Sequence, residues 1–213
     1  MGGAGIDFRG FRVCVVGPFP PRSGDLSRQT ELLCQLLQQE GAWVQRVNTD
    51  LPSVRRLPVI GIHLLPLVQI PAVIWRLLAT LPRVDVVHVQ AASFWGFYLP
   101  VILALLLGRL FRRRVVISYS GGLARPFMAQ RWRLVRPLVK RAHSFAVTSD
   151  YLKEIFQREG LEPTVLLNVL VSEHVPFLAR SAWPPLLVWS SVLEPEANPS
   201  MALVALAKVL QTS

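Results

Sequence analysis

The sequence predicts a doubly wound α/β fold on a parallel sheet. Two observations carry this expectation. Short apolar runs of strand length alternate along the chain with longer stretches of helical periodicity. The short runs are apolar at successive positions, as strands covered on both faces must be, rather than alternating with polar residues as half-exposed strands do.

Each element follows in order. Arg12-Val-Cys-Val-Val-Gly17 reads as a buried strand ending in glycine. Leu26, Thr30, Leu33 and Leu37 then recur at helical spacing, with Arg28, Glu31, Gln35 and Gln38 turned away, until Gly41 stops the helix. Trp43 to Thr49 gives a second strand, and Leu67 to Leu81 a helix once past Pro71. Asp85-Val-Val-His-Val-Gln90 is a third strand, Phe94 to Leu110 a helix, and Val115 to Tyr119 a fourth strand. Ala129 to Ala142 is a basic helix, and Ser144 to Ser149 a fifth strand. Asp150 to Glu159 is a helix closed by Gly160, and Thr164 to Asn168 a sixth strand. Between Ser172 and Pro185 the periodicity lapses and prolines enter, which suits a linker. Leu186 to Val192 reads as one more strand, and Asn198-Pro199 as a capped helix start running to about Leu210. The expected organisation is a domain over residues 1–171, a linker over 172–185, and the truncated start of a second domain over 186–213.

With 52% hydrophobic and 17% charged residues the chain is not disordered. Its net charge of +10 points to an anionic partner: nucleic acid, an anionic membrane surface or a phosphorylated small molecule. Cys14 and Cys34 have no metal-ligand spacing and read as buried free thiols of a reducing compartment. The start MGGAGIDFRG has no apolar signal core, and Ile6 stands where a myristoylation signal needs Ser or Thr. Leu99 to Leu107 is too short to cross a bilayer. Leu57 to Leu81 is long enough but carries His63, Gln69, Arg76, Pro58, Pro66 and Pro71, so lying on a membrane is favoured over crossing one.

Ligands of open parallel sheets bind at the carboxyl ends of the strands, which selects three loops. Gly17-Pro-Phe-Pro-Pro-Arg-Ser-Gly-Asp25 is stiff. Its amides and the following helix N-terminus could receive a hydroxyl or phosphate, with Gly17, Arg22, Gly24 and Asp25 as candidates; an ordinary rigid turn stays an equal reading. Gln90-Ala-Ala-Ser-Phe-Trp-Gly96 offers Ser93 and an aromatic pair, Phe94 and Trp95, that is more often core than sugar platform. Ser118-Tyr-Ser-Gly-Gly-Leu123 offers Ser120, Gly121 and Gly122, whose glycines admit close backbone approach. The chain lacks the dinucleotide and triphosphate glycine signatures, HExxH, CxxC, GxSxG and any Asp-x-Asp pair. No resident cofactor or metal is expected, and no catalytic residue is assigned. His88 reads as a satisfied core histidine. Arg112-Arg113-Arg114 precedes strand four and so sits on the edge opposite the ligand loops. On the basic helix Arg133, Arg136 and Lys140 share a face and Trp132 is a candidate interfacial anchor, the composition of a helix on anionic lipid; a solvated helix face is the competing reading.

Taken together, the Gly-Pro loop after strand one, Asp85-Val-Val-His88, Gly121-Gly122 after strand four, Ser149-x-Tyr-Leu-x-x-x-Phe156, and Asn168 ahead of Phe177 resemble glycosyltransferase family four, retaining enzymes of GT-B fold. The resemblance spans Phe11 to Leu210. It implies two Rossmann-like domains. The first faces the acceptor, and the second binds a nucleotide sugar as donor substrate without a required metal. It also implies hexosyl transfer to a lipid-linked or polysaccharide acceptor and a cytoplasmic, peripheral place on the inner membrane face. Two positions depart from the family pattern: Gly24-Asp25 stands where Gly-Gly is frequent, and Ser120 where a histidine is frequent. The family's donor-binding glutamate pair would lie beyond Ser213, so a fragment is expected: either the gene is cut short or split, or a separate chain supplies the second domain. A non-catalytic membrane-surface or partner-binding module derived from the same fold is the alternative. Nucleic-acid binding rests on charge alone and is not expected.

Overall fold

The computed structural model describes residues 8–21, 24–50, 65–168, 188–190 and 198–212. The chain divides into two compact units, Met1–Leu170 and Val171–Ser213.

In the first unit β1 (Arg12–Gly17), β2 (Trp43–Asn48), β3 (Val86–Ala91), β4 (Arg114–Tyr119), β5 (Ser144–Val147) and β6 (Thr164–Val165) form one sheet in the order β2-β1-β3-β4-β5-β6. Every neighbouring pair is parallel. Between them run α1 (Asp25–Gln39), α2 (Leu65–Thr80), α3 (Trp95–Leu110), α4 (Ala124–Val139) and α5 (Asp150–Gln157), with a 3₁₀ turn at Leu81–Arg83. The chain steps from β1 out to β2, then reverses across β1 to β3 and continues outward. Parallel crossovers are right-handed, so this reversal puts α1 on one face and α2 to α5 on the other.

Side chains alternate accordingly. Val13 and Val15 pack with Cys34, Leu33 and Leu37 of α1. Cys14, Val16, Val87, Val89, Ile117 and Tyr119 pack in the opposite layer with Val73 and Leu77 of α2, Phe97 of α3, Phe127 of α4 and Phe156 of α5. Tyr119 stands at the centre of an aromatic cluster, parallel to Phe127 at 6.1 Å and edge-on to Phe156 at 5.0 Å. Both cysteines are buried free thiols, pushed up to about 12 (Cys14) and about 11 (Cys34) chiefly by desolvation.

Several boundaries differ from expectation. Helix α4 begins at Ala124, five residues ahead of the expected start at Ala129. Its Pro126 falls in the first turn, where a missing N–H leaves no intrahelical bond unmade. Helix α2 runs through Pro71, and full burial of Val73 and Leu77 outweighs the lost backbone bond. Strand β5 ends at Val147 because Ser149 caps α5, its Oγ accepting the Leu152 N–H at 3.3 Å. Strand β6 has two residues where five were expected. Gly41 does end α1: at φ 91 it adopts the left-handed backbone that the turn into β2 requires.

In the second unit the described residues include α6 (Pro199–Thr212). It is entered through Asn198, whose Oδ1 accepts the Ser200 hydroxyl at 3.0 Å. Residues 188–190 of the expected strand over 186–192 have no regular structure, and its other residues lie outside the described ones. The expected linker over 172–185 also lies outside the described residues. Among the described residues no helix is long and apolar enough to cross a membrane.

Candidate functional site

The reversal between β1 and β3 sends their following loops in opposite directions, and a crevice opens between them at the carboxyl edge. A cavity of about 640 Å³ occupies this place. Its floor and one wall come from the start of α1: Gly24, Asp25, Leu26 and Ser27. Thr49 and Asp50 enter from the loop after β2, Ala92 and Ser93 from the loop after β3, and Trp95 and Leu99 from α3.

Local geometry fixes these groups. Helix α1 has no side-chain cap. The Ser27 hydroxyl donates to the Gly24 carbonyl at 2.9 Å, and Asp25 places a carboxylate in the first turn, the favourable end of the helix dipole. The Thr49 N–H donates to the Gly17 carbonyl at 3.0 Å, and the Asp50 N–H to Asn48 Oδ1 at 2.8 Å. Phe94, at φ 54, turns the chain sharply before α3. That turn separates the aromatic pair: Phe94 packs edge-on against Phe127 at 5.2 Å, while Trp95 is 80% exposed beside the cavity. The Ser93 hydroxyl pairs with the Tyr119 hydroxyl at 2.6 Å.

Among the sequence candidates, Gly24, Asp25 and Ser93 meet in this cavity. Gly121 lies just behind it; a Cβ there would fall 3.0 Å from Ser93 Oγ. Gly17 has a packing role, since a Cβ would meet that of Gln90 at 2.9 Å. Gly122 faces open space, and Arg22 lies outside the described residues. Ser120 lines a separate cavity of about 290 Å³ on the α1 side, with Gln90, Ser118 and Asn168. Near it the half-buried His88 places Nε2 2.7 Å from Ser118 Oγ, and desolvation pushes its imidazole down to about 4. That ring is hydrogen-bonded within the sheet, to β4.

On α4 the four membrane-surface candidates divide. Arg133 and Lys140 are exposed. Trp132 is half-buried against the core, with the Arg133 guanidinium 5.5 Å from its ring centre. Arg136 is half-buried towards Gly160, with its Nε enclosed and unpaired among the described residues.

Sequence reasoning missed Thr49 and Asp50, which the carboxyl-edge rule reaches through β2. It also left Trp95 in the core. Among the described lining residues the cavity carries two carboxylates and no lysine, arginine or histidine, in a chain of net charge +10. Hydroxyls, carboxylates and an exposed indole beside apolar Ile70, Leu99 and Pro100 form the chemistry that grips a polyol with an apolar face.

The fold is that of an open-sheet α/β protein, with this cavity at its topological switch point. A family profile described as Glycosyl transferase 4-like domain matches residues 3–169, and the chain belongs to that family. Comparison with curated proteins gives no match. Among solved structures, the chain is similar to an alpha-glucosyltransferase in complex with UDP-glucose and DNA containing an abasic site. The identity is 14% and the TM-score 0.44, over 72% of this chain and 41% of that one. The chain therefore spans less than half the length of that structure.

Proposed function

We propose that the first unit is the acceptor-side domain of a glycosyltransferase. It would present a hydroxyl of a lipid-linked or polysaccharide acceptor to a hexose carried by a nucleotide sugar. Family membership supports glycosyl transfer, and the cavity at the β1/β3 reversal is the single observation that supports the acceptor role. A donor diphosphate would meet Asp25 and Asp50 there and no cation among the described lining residues. A neutral sugar meets hydrogen-bond acceptors for its hydroxyls and Trp95 for its C–H face. Helix α1 adds amide donors at its uncapped start.

Titration of the full chain with neutral hexosides and short oligosaccharides, followed by tryptophan fluorescence and ligand-observed NMR, tests this reading. Saturable binding that Trp95→Ala and Asp50→Asn each weaken is the expected result. Absence of any response, or a response indifferent to both substitutions, would overturn it.

A further inference from the structure

Helix α3 carries no charged side chain between Trp95 and Gly108. One side packs on the sheet through Phe97, Val101, Ala104 and Leu105, all buried. The other side is equally apolar and is left open: Trp95 is 80% exposed, Leu106 64% and Leu110 70%. Helical spacing places residues 95, 99, 102, 106 and 110 in one stripe, about 24 Å long at the usual rise. A helix apolar on every side calls for a cover on its outer side too.

At its carboxyl end the stripe meets a cavity of about 590 Å³ between α3 and the end of α4. Ile102, Leu105, Leu106 and Leu138 form its walls, and Arg109, Arg112, Arg113 and Arg141 contribute guanidinium groups. No carboxylate lines it among the described residues. Arg113 Nη2 donates to the Pro82 carbonyl at 3.1 Å and Arg141 Nη1 to the Pro137 carbonyl at 2.9 Å. Arg113 Nε is enclosed without an acceptor among the described residues. Four like charges around one apolar hollow repel each other until an anion enters. Arginine forks match phosphate oxygens in pairs. Leucine walls, running on into an exposed leucine stripe, match hydrocarbon.

We infer that the arginine cavity and the Leu106 to Leu110 end of the outer stripe of α3 form a docking site for an anionic phospholipid surface. The lipid phosphate sits among Arg109, Arg112, Arg113 and Arg141, and acyl chains lie against Leu106 and Leu110. Charge complementarity selects the occupant. Nucleic acid would answer the guanidinium groups but leave the leucines in water, and a neutral apolar partner would do the reverse. The arginine cavity lies at the carboxyl end of α3, whereas Trp95 and Leu99 near its start line the proposed acceptor cavity.

Co-sedimentation of the full chain with vesicles of phosphatidylcholine, alone or mixed with about one-third phosphatidylglycerol, tests the inference. Binding to the mixed vesicles, weakened by salt and by Arg109→Gln, Arg112→Asn and Arg141→Gln combined, is expected. The loss should be about a hundredfold, since each cation near an anionic surface contributes roughly fivefold. Asn suits the left-handed backbone of Arg112, at φ 55, so this variant keeps the turn. A second variant, Leu106→Gln with Leu110→Gln, should also weaken vesicle binding, while Arg133→Gln on α4 leaves it unchanged. Vesicle binding lost only in the α4 variant would overturn the assignment. So would glycerol phosphate binding as tightly as vesicles and independently of the leucines, or preference for single-stranded DNA over mixed vesicles.

Discussion

Ser93 Oγ and Tyr119 Oη lie 2.6 Å apart, joining the loop after β3 to the last residue of β4. The bond ties a cavity residue to the aromatic cluster of the core. The Tyr119 ring is fully buried, and desolvation pushes its phenol up to about 12, so it stays protonated at neutral pH.

The space around that pair is closed. A Cβ on Gly121 would stand 2.9 Å from Tyr119 Oη and 3.0 Å from Ser93 Oγ. Because the Tyr119 ring is locked among Phe97, Phe127 and Phe156, it cannot swing aside. Gly121→Ala should destabilise the domain by about 1–3 kcal/mol and weaken hexoside binding as well. Tyr119→Phe should cost about 1 kcal/mol through the lost bond. Urea unfolding of both variants checks the order.

A second close approach lies at the other end of α3. A Cβ on Gly108 would fall 2.7 Å from Val115 Cγ2 on β4. Gly108→Ala alone should destabilise by about 1–3 kcal/mol. Val115→Ala removes the opposing methyl, so the double variant should lose less than the two single losses summed. A double-mutant cycle in urea reads this coupling, and strict additivity would show that the helix shifts freely.

Stability should fall in acid through His88. Its folded value, about 4, lies below the ordinary 6.5. Between these values the unfolded chain binds the extra proton, so stability rises with pH across that window and is lost as pH drops from 6.5 towards 4. The full difference is on the order of 3 kcal/mol. His88→Leu with Ser118→Ala removes both members of the hydrogen bond and should flatten this part of the pH profile, measured as urea midpoints.

Trp95 separates binding from stability. Being 80% exposed, its replacement by alanine should change unfolding free energy by about 0.5 kcal/mol or less. Hexoside affinity should fall about tenfold, the loss of one stacked aromatic contact. A parallel drop in melting temperature would place the indole in the fold rather than the site.

Most of the sheet was legible because β1, β3, β4 and β5 are short apolar runs, each with its own turn signal. Val13 to Val16 and Val86 to Val89 need no context to be recognised. The start of α4 was not legible, since Gly121, Gly122 and Pro126 all read as loop while the helix begins at Ala124. Trp95 was hidden because its exposure follows from the φ of Phe94, which no periodicity encodes. Asp50 sits in a loop with no glycine or aromatic to single it out. Arg109 and Arg141 are distant in sequence, and only the packing of α3 beside α4 gathers them around one hollow.

The reversal of strand order at β1 and β3 makes the edge cavity from loops that part, with no core side chain removed. Residues such as Thr49, Asp50 and Trp95 can therefore be exchanged while Phe97, Tyr119, Phe127 and Phe156 keep the layer beneath them intact. Under the proposed acceptor role, ligand preference and foldedness would rest on largely separate sets of positions. These loop positions can therefore be substituted over a lineage without passing through unfolded ancestors.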